Sequence, residues 1–295
     1  MTTLDDLTTV LQHVEATAGP AVVGVGHRRG LGSGVVIADG TILTNAHNVY
    51  GETVAVRLQD GSLHEATLVA ADPDDDLAVL ATDTTGITPL EWADDAQPQI
   101  GTAVFALSRT RTGSGVRVTF GTVAATQRRF RGPRSRPITG AFEHTAPMAR
   151  GASGGPVVNS AGQLIGLNTH RMGEGFYLAI PTDSTLRERV DALAAGRAPR
   201  QRQLGIAVAP PHVARRLRAA VGLPERDGLL VQQIFDDTPA AAADLKRGDL
   251  IVTVNGTTAD NVDVLYAALG SDATQLTLGL VRGTDEIEVL VRFDD

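Results

Sequence analysis

The sequence contains no cysteine. Disulfides, thiolate metal sites and a cysteine nucleophile are excluded on that count alone. The redox compartment stays open, because a cysteine-free chain folds in either environment. No metal ligand set and no complete nucleotide motif occurs, so no cofactor is expected. The glycines between 24 and 34 give a weak dinucleotide signal, but no helix follows them. Long apolar runs are missing too. Met1 to Ala18 carries Asp5, Asp6 and Glu15 and no basic cluster, which is the pattern of neither a signal peptide nor a membrane anchor. The expectation is no membrane span and a cytoplasmic chain if Met1 is the natural start. A trimmed sequence would leave a secreted or periplasmic protein open. There is no basic domain: the net charge is −8, with 10 basic and 14 acidic side chains over 200–295 and 16 and 20 over the rest. Nucleic acid is therefore not an expected partner. No internal repeat or low-complexity tract is seen.

At 295 residues and 42% hydrophobic content, two ordinary globular domains are expected. Residues 3–18 read as an amphipathic helix, with Leu4, Leu7, Leu11 and Val14 on one face. Short β-rich runs then follow at 35–38, 41–45, 53–58, 63–70, 77–81, 102–107 and 116–124, separated by Gly, Asp and Pro. Residues 157–158, 164–167 and 176–180 continue them. Regular short strands with turn signals imply a mostly β barrel or sandwich. A helix over 183–195 closes this part, with Leu186, Val190 and Leu193 on one face. Gly196 to Gln203 reads as a linker. Beyond it lie helical stretches at 211–221 and 261–269 and strands at 275–281 and 286–292.

Gly151-Ala152-Ser153-Gly154-Gly155-Pro156 is the stretch the chain is organised around. Glycine permits tight turns and close approaches, so this turn can expose the Ser153 hydroxyl and aim the amides of Gly151 and Ser153 at one point, as an oxyanion hole requires. A serine hydroxyl needs a base, and the base needs an orienting carboxylate. Thr44-Asn45-Ala46-His47 ends a strand-like run on a histidine. The six other histidines (His13, His27, His64, His144, His170 and His212) have no comparable setting. Asp76 immediately precedes the apolar run Leu77-Ala78-Val79-Leu80, whereas Asp72, Asp74 and Asp75 read as turn formers. The order His, Asp, Ser is that of chymotrypsin-type double barrels.

These blocks, with Gly32-Ser33-Gly34-Val35-Val36, make the sequence resemble the HtrA (DegP-like) family of trypsin-fold serine proteases. Leu204-Gly205-Ile206, Thr238-Pro239-Ala240-Ala241 and Gly248-Asp249-Leu250-Ile251-Val252-Thr253-Val254-Asn255-Gly256 resemble the PDZ domain that ends such proteins. The resemblance implies a two-barrel protease domain over 1–195, a linker over 196–203 and a PDZ domain over 204–295. It implies an endopeptidase acting on unfolded or exposed protein segments without ATP, with His47, Asp76 and Ser153 catalytic. Pro147, six residues before Ser153, falls where such folds carry the specificity charge of the primary pocket. It is not an acid, so cleavage after Arg or Lys is not expected. Asn168, Thr169 and His170 are candidates for holding substrate backbone. Leu204, Gly205 and Ile206, with Val208, are candidates for binding peptide C-termini by strand addition. The family implies a homotrimer. The chain has Ala149-Arg150-Gly151-Ala152 where the family usually has Asn-Pro-Gly-Asn, and Thr145 where an aspartate is usual. A latent protease serving as a peptide-binding module is the alternative these departures raise. Arg128 to Arg136 reads as an arginine-rich loop.

Overall fold

The computed structural model describes residues 3–26, 32–94, 98–110, 115–132, 137–173, 175–199, 202–270 and 274–293, with backbone alone at 171 and 172. They fall into two units, Met1–Pro199 and Arg200–Asp295. In the first, helix α1 (Thr3–Ala18) docks by its C-terminal half. Val14 and Ala18 are fully buried there, while Leu4 at the other end is 75% exposed. Val10 and Leu11 are partly buried against the same core, so the expected apolar face is used from the middle of the helix onward.

Strands β1 (Val22–Val25), β2 (Gly32–Ala38), β3 (Thr41–Thr44), β4 (Thr53–Arg57), β5 (Leu63–Asp72) and β6 (Leu77–Ala81) close into a barrel in the order β1-β2-β3-β6-β5-β4. Strands β7 (Ala103–Arg109), β8 (Val116–Arg131), β9 (Pro137–His144), β10 (Pro156–Val158), β11 (Leu164–Gly173) and β12 (Phe176–Pro181) close a second barrel in the order β10-β11-β12-β9-β8-β7. Closure leaves neither sheet an open edge. Val35, Ile42, Leu43, Leu77 and Leu80, on the two faces of the first barrel's sheet, belong to one buried cluster that also takes in α1 and residues of β7 and β11. Val104, Phe142, Val157 and Ile165 belong to a second cluster in the second barrel. Helix α2 (Ser184–Ala194) follows, capped by Asp183 accepting from the Leu186 amide at 2.9 Å, with Leu186, Val190 and Leu193 buried.

Two segments differ from expectation. Strand β9 is hidden in the sequence by Pro137 and by Gly140, which sits at a φ of 83°. Yet Ile138, Ala141 and Phe142 are buried, and Phe142 pairs with Ala179 of β12. The arginine-rich segment is strand as far as Arg131. There Phe130 pairs with Ile138 and packs on Ala141 and Leu178, and one buried aromatic holds the strand against its charged neighbours. The remainder, Pro133 to Arg136, lies outside the described residues.

The second unit is a sheet in the order β13-β14-β15-β17-β18, with β16 beside β15. Its strands are β13 (Ile206–Ala209), β14 (Leu229–Ile234), β15 (Leu250–Val254), β16 (Thr257–Thr258), β17 (Gln275–Arg282) and β18 (Asp285–Arg292). Helices α3 (Pro211–Ala220), α4 (Pro239–Ala242) and α5 (Val262–Leu269) complete it. Strand β13 lies at the sheet edge, and its Ile206 and Val208 pack on the same core as Val262, Leu265 and Leu269 of α5.

Candidate active site

The two barrels bring His47, Asp76 and Ser153 together. His47 lies in a 3₁₀ turn (Ala46–Asn48) leaving β3, Asp76 in the turn between β5 and β6, and Ser153 in the turn before β10. Asp76 is a non-glycine residue at a φ of 58°, a sparsely occupied conformation that aspartate tolerates better than most. It is held there because its carbonyl accepts from the Asn45 side chain at 2.9 Å and from the Ala46 amide at 3.2 Å. Its carboxylate, fully buried, receives three donors. They are the His47 amide on Oδ1 (3.1 Å), His47 Nδ1 (2.9 and 2.8 Å to the two oxygens) and the Thr169 hydroxyl on Oδ2 (3.1 Å). A carboxylate only accepts, so the neutral ring carries its proton on Nδ1 and leaves Nε2 bare. Nε2 faces the Ser153 hydroxyl at 2.7 Å. The neighbouring aspartates are otherwise engaged. Asp72 accepts from the amides of Asp74 and Asp75, and Asp75 pairs with Arg189.

The serine turn is held from the first barrel. The Ser153 carbonyl accepts from the Ser33 amide (2.8 Å) and Asn48 Nδ2 (3.0 Å), and the Gly151 carbonyl accepts from the Ser33 hydroxyl (2.7 Å). Gly154 has a φ of 82°, and a Cβ there would lie 2.2 Å from the Ser33 carbonyl oxygen; no other residue fits. Gly151 also has positive φ, at 90°. Ala152, Gly154 and Gly155 spend their amides on Ala149, Asn168 and Ala152. Among the described residues, those of Gly151 and Ser153 have no acceptor, so they are available to a substrate oxygen. No group of three His, Asp or Glu side chains among the described residues is arranged for a metal ion.

The candidate substrate residues divide. His170 is exposed, its ring 5.6 Å from that of Phe130, and Pro147 is exposed, while the adjacent Met148 packs inward on Ala152 and Tyr177. Thr169 turns its carbonyl to the Ser153 hydroxyl (3.0 Å) as well as its own hydroxyl to Asp76. Asn168 is fully buried. Its amide and carbonyl serve Gly155 and Gly154, and its side chain serves Pro156 and His144. The roles of Ser33, Asn45, Asn48 and the Thr169 hydroxyl were not foreseen from sequence, although Ser33 and Asn45 lie in the motif blocks around Gly32 and His47 and Asn48 directly follows the second.

His144 is buried behind this wall. Nε2 donates to Asn168 Oδ1 at 3.0 Å and Nδ1 has no partner. Burial pushes its pKa down to about 4. A histidine depressed in the fold takes up its proton more readily when unfolded, so the stability it supports is lost as pH falls from its ordinary value near 6.5 towards 4. That loss amounts to roughly 3 kcal/mol. Melting curves at pH 7 and pH 4.5 are expected to diverge less for His144→Gln than for the native chain.

Comparison with known proteins matches both domains. Residues 32–167 match the trypsin-like peptidase domain and residues 203–292 the PDZ domain. A probable periplasmic serine endoprotease DegP-like of Halomonas elongata is 33% identical over 278 residues, covering 91% of this chain and 57% of that protein. The crystal structure of the serine endoprotease from Yersinia pestis is 30% identical, with a TM-score of 0.68 over 96% of each chain. The chain belongs to the HtrA (DegP-like) family. A solved HtrA-type protease, AlgW with a tripeptide, is 28% identical with a TM-score of 0.64 over 96% of each chain. This HtrA-family chain thus spans little more than half the length of the curated relative.

In its PDZ domain, Gly205 sits at a φ of 79°, with Thr238 where a Cβ would go, at 2.2 Å. The Leu204 side chain is buried, and the carbonyls of Leu204 and Gly205 accept from the amides of Ala240 and Phe235. Ile206, half-buried, begins the edge strand. Of the three candidates, Leu204 anchors the loop and Ile206 packs partly buried on the domain core. Among the described residues no helix is long and apolar enough to cross a membrane.

Proposed function

We propose that the protein is a serine endopeptidase that cleaves unfolded or exposed segments of other proteins. The observation that carries this is the 2.7 Å approach of Ser153 Oγ to a His47 nitrogen whose ring is fixed by the buried Asp76. Ser153 Oγ attacks the peptide carbonyl carbon while its proton passes to His47 Nε2. Asp76 stabilises the resulting imidazolium without taking the proton. The oxygen of the tetrahedral intermediate is received by the amides of Gly151 and Ser153. As the C–N bond breaks, Nε2 returns its proton to the leaving amine, and water repeats the sequence to free the acid and Ser153. Casein hydrolysis by the purified chain tests this. Release of peptides is expected, and intact casein with folded protein would refute it.

The pocket carries no acid at Pro147, so small or medium apolar residues are the proposed preference. A buried cation without a partner is costly. Peptides with Val or Ala before the scissile bond should exceed Arg peptides in kcat/KM by at least about tenfold; the reverse order in a peptide series would refute the preference.

The PDZ domain is proposed to take hydrophobic peptide C-termini on β13, supported by that strand's edge position and its apolar neighbours on α5. The solved relative named with a tripeptide supports peptide ligands for such chains. A homotrimer is proposed from the family assembly, and light scattering measures it. One relative is named periplasmic.

A further inference from the structure

We propose that Asn45 is a positioning residue for the nucleophile: its side-chain amide spans the Asp76 backbone and the Ser153 hydroxyl and seats that hydroxyl where His47 takes its proton. This rests on Ser153 being the nucleophile.

Asn45 is fully buried, two residues before His47. Its Nδ2 lies 2.9 Å from the Asp76 carbonyl oxygen and its Oδ1 lies 2.8 Å from Ser153 Oγ. The two ends are not interchangeable. A carbonyl oxygen only accepts, so the NH₂ end belongs on Asp76, and the oxygen end on Ser153 follows. Ser153 Oγ therefore has one proton and three acceptors around it: His47 Nε2 at 2.7 Å, Asn45 Oδ1 at 2.8 Å and the Thr169 carbonyl at 3.0 Å. When Nε2 is bare, it takes the hydroxyl proton. When the ring is charged, Nε2–H donates into Oγ, and the hydroxyl proton turns to Asn45 or Thr169. In both states the oxygen stays in one place.

The other end of the amide acts on the orienting acid. Asp76 occupies its left-handed conformation with Asn45 Nδ2 as the shorter of its carbonyl's two donors. One side chain thereby ties the nucleophile to the backbone of the residue that aims the base. Alanine would strip both bonds. Serine is too short to span them.

The test measures kcat, KM and the rate of fluorophosphonate labelling for the native chain, Asn45→Ala and Asn45→Ser, beside thermal melting of each. Both substitutions are expected to lower kcat and the labelling rate together, by about tenfold for alanine. KM should stay within about twofold and cooperative melting should be retained. Asn45→Ser provides the comparison if Asn45→Ala does not fold. Rates within twofold of native in a folded variant, or a loss confined to KM, would overturn the proposal. So would failure of both variants to fold, which would make Asn45 a residue of the fold alone. Absence of hydrolysis and labelling in the native chain would instead count against Ser153 as nucleophile.

Discussion

Ser153→Ala is expected to lower kcat by on the order of a millionfold, with little change in stability. The hydroxyl is the only atom lost, and the turn that bears it is held by other groups. Ser33 and Asn48 grip the Ser153 carbonyl, Ser33 also grips that of Gly151, and Asn168 receives the Gly154 amide. Removing Oγ leaves Asn45 Oδ1, His47 Nε2 and the Thr169 carbonyl without their shared donor. His47 is part-exposed, so water can replace it there. Substrate binding uses backbone that the substitution does not touch, so KM should stay within a few-fold while turnover vanishes. Single-turnover hydrolysis and thermal melting, run side by side, check both halves. Retained turnover would move the nucleophile elsewhere.

Asp76→Asn is expected to cost about ten-thousandfold in kcat. Every neighbour of this carboxylate is a donor: the His47 amide, His47 Nδ1–H and the Thr169 hydroxyl. Placing an NH₂ in that set sets donor against donor. The imidazole can relieve the clash only by moving its proton to Nε2, and the base then faces Ser153 already protonated. Asparagine accepts the left-handed backbone of position 76 as readily as aspartate, so the fold should survive and the loss should be one of tautomer. Imidazole ¹⁵N shifts would report the switch directly. A folded Asp76→Asn chain with native kcat would refute the assigned role.

Much of this site was legible because its chemistry is written in short blocks whose residue types have few other uses. A glycine frame around a serine, a histidine ending a strand and an aspartate opening one are enough to name the three groups. The supporting shell was less legible. Ser33, Asn45 and Asn48 are small polar residues whose purpose appears only when the two barrels meet, because their partners lie as far away as residue 153. Thr169 was expected to offer its backbone to substrate, and the further bond from its hydroxyl to Asp76 was not foreseen. Asn168 was grouped with it, but strand alternation sends its side chain the other way, into the second barrel beside His144. In the fold, alternating strands with glycine and aspartate between them were visible throughout the first barrel. Strand β9 was not, since Pro137 and Gly140 look like punctuation. Its identity rests on tertiary pairing with β8 and β12 that no local pattern encodes. The arginines from 128 to 131 suggested loop for the same reason, with Phe130 as the one residue that betrays the strand.

The most direct measurement is fluorophosphonate labelling of the native chain followed by peptide mapping. Such probes react with a serine hydroxyl activated by a neighbouring base. One adduct is expected, on Ser153, at a rate that collapses in His47→Ala. Folded protein that takes up no label, or carries it on a serine other than Ser153, would contradict the proposed chemistry at its centre.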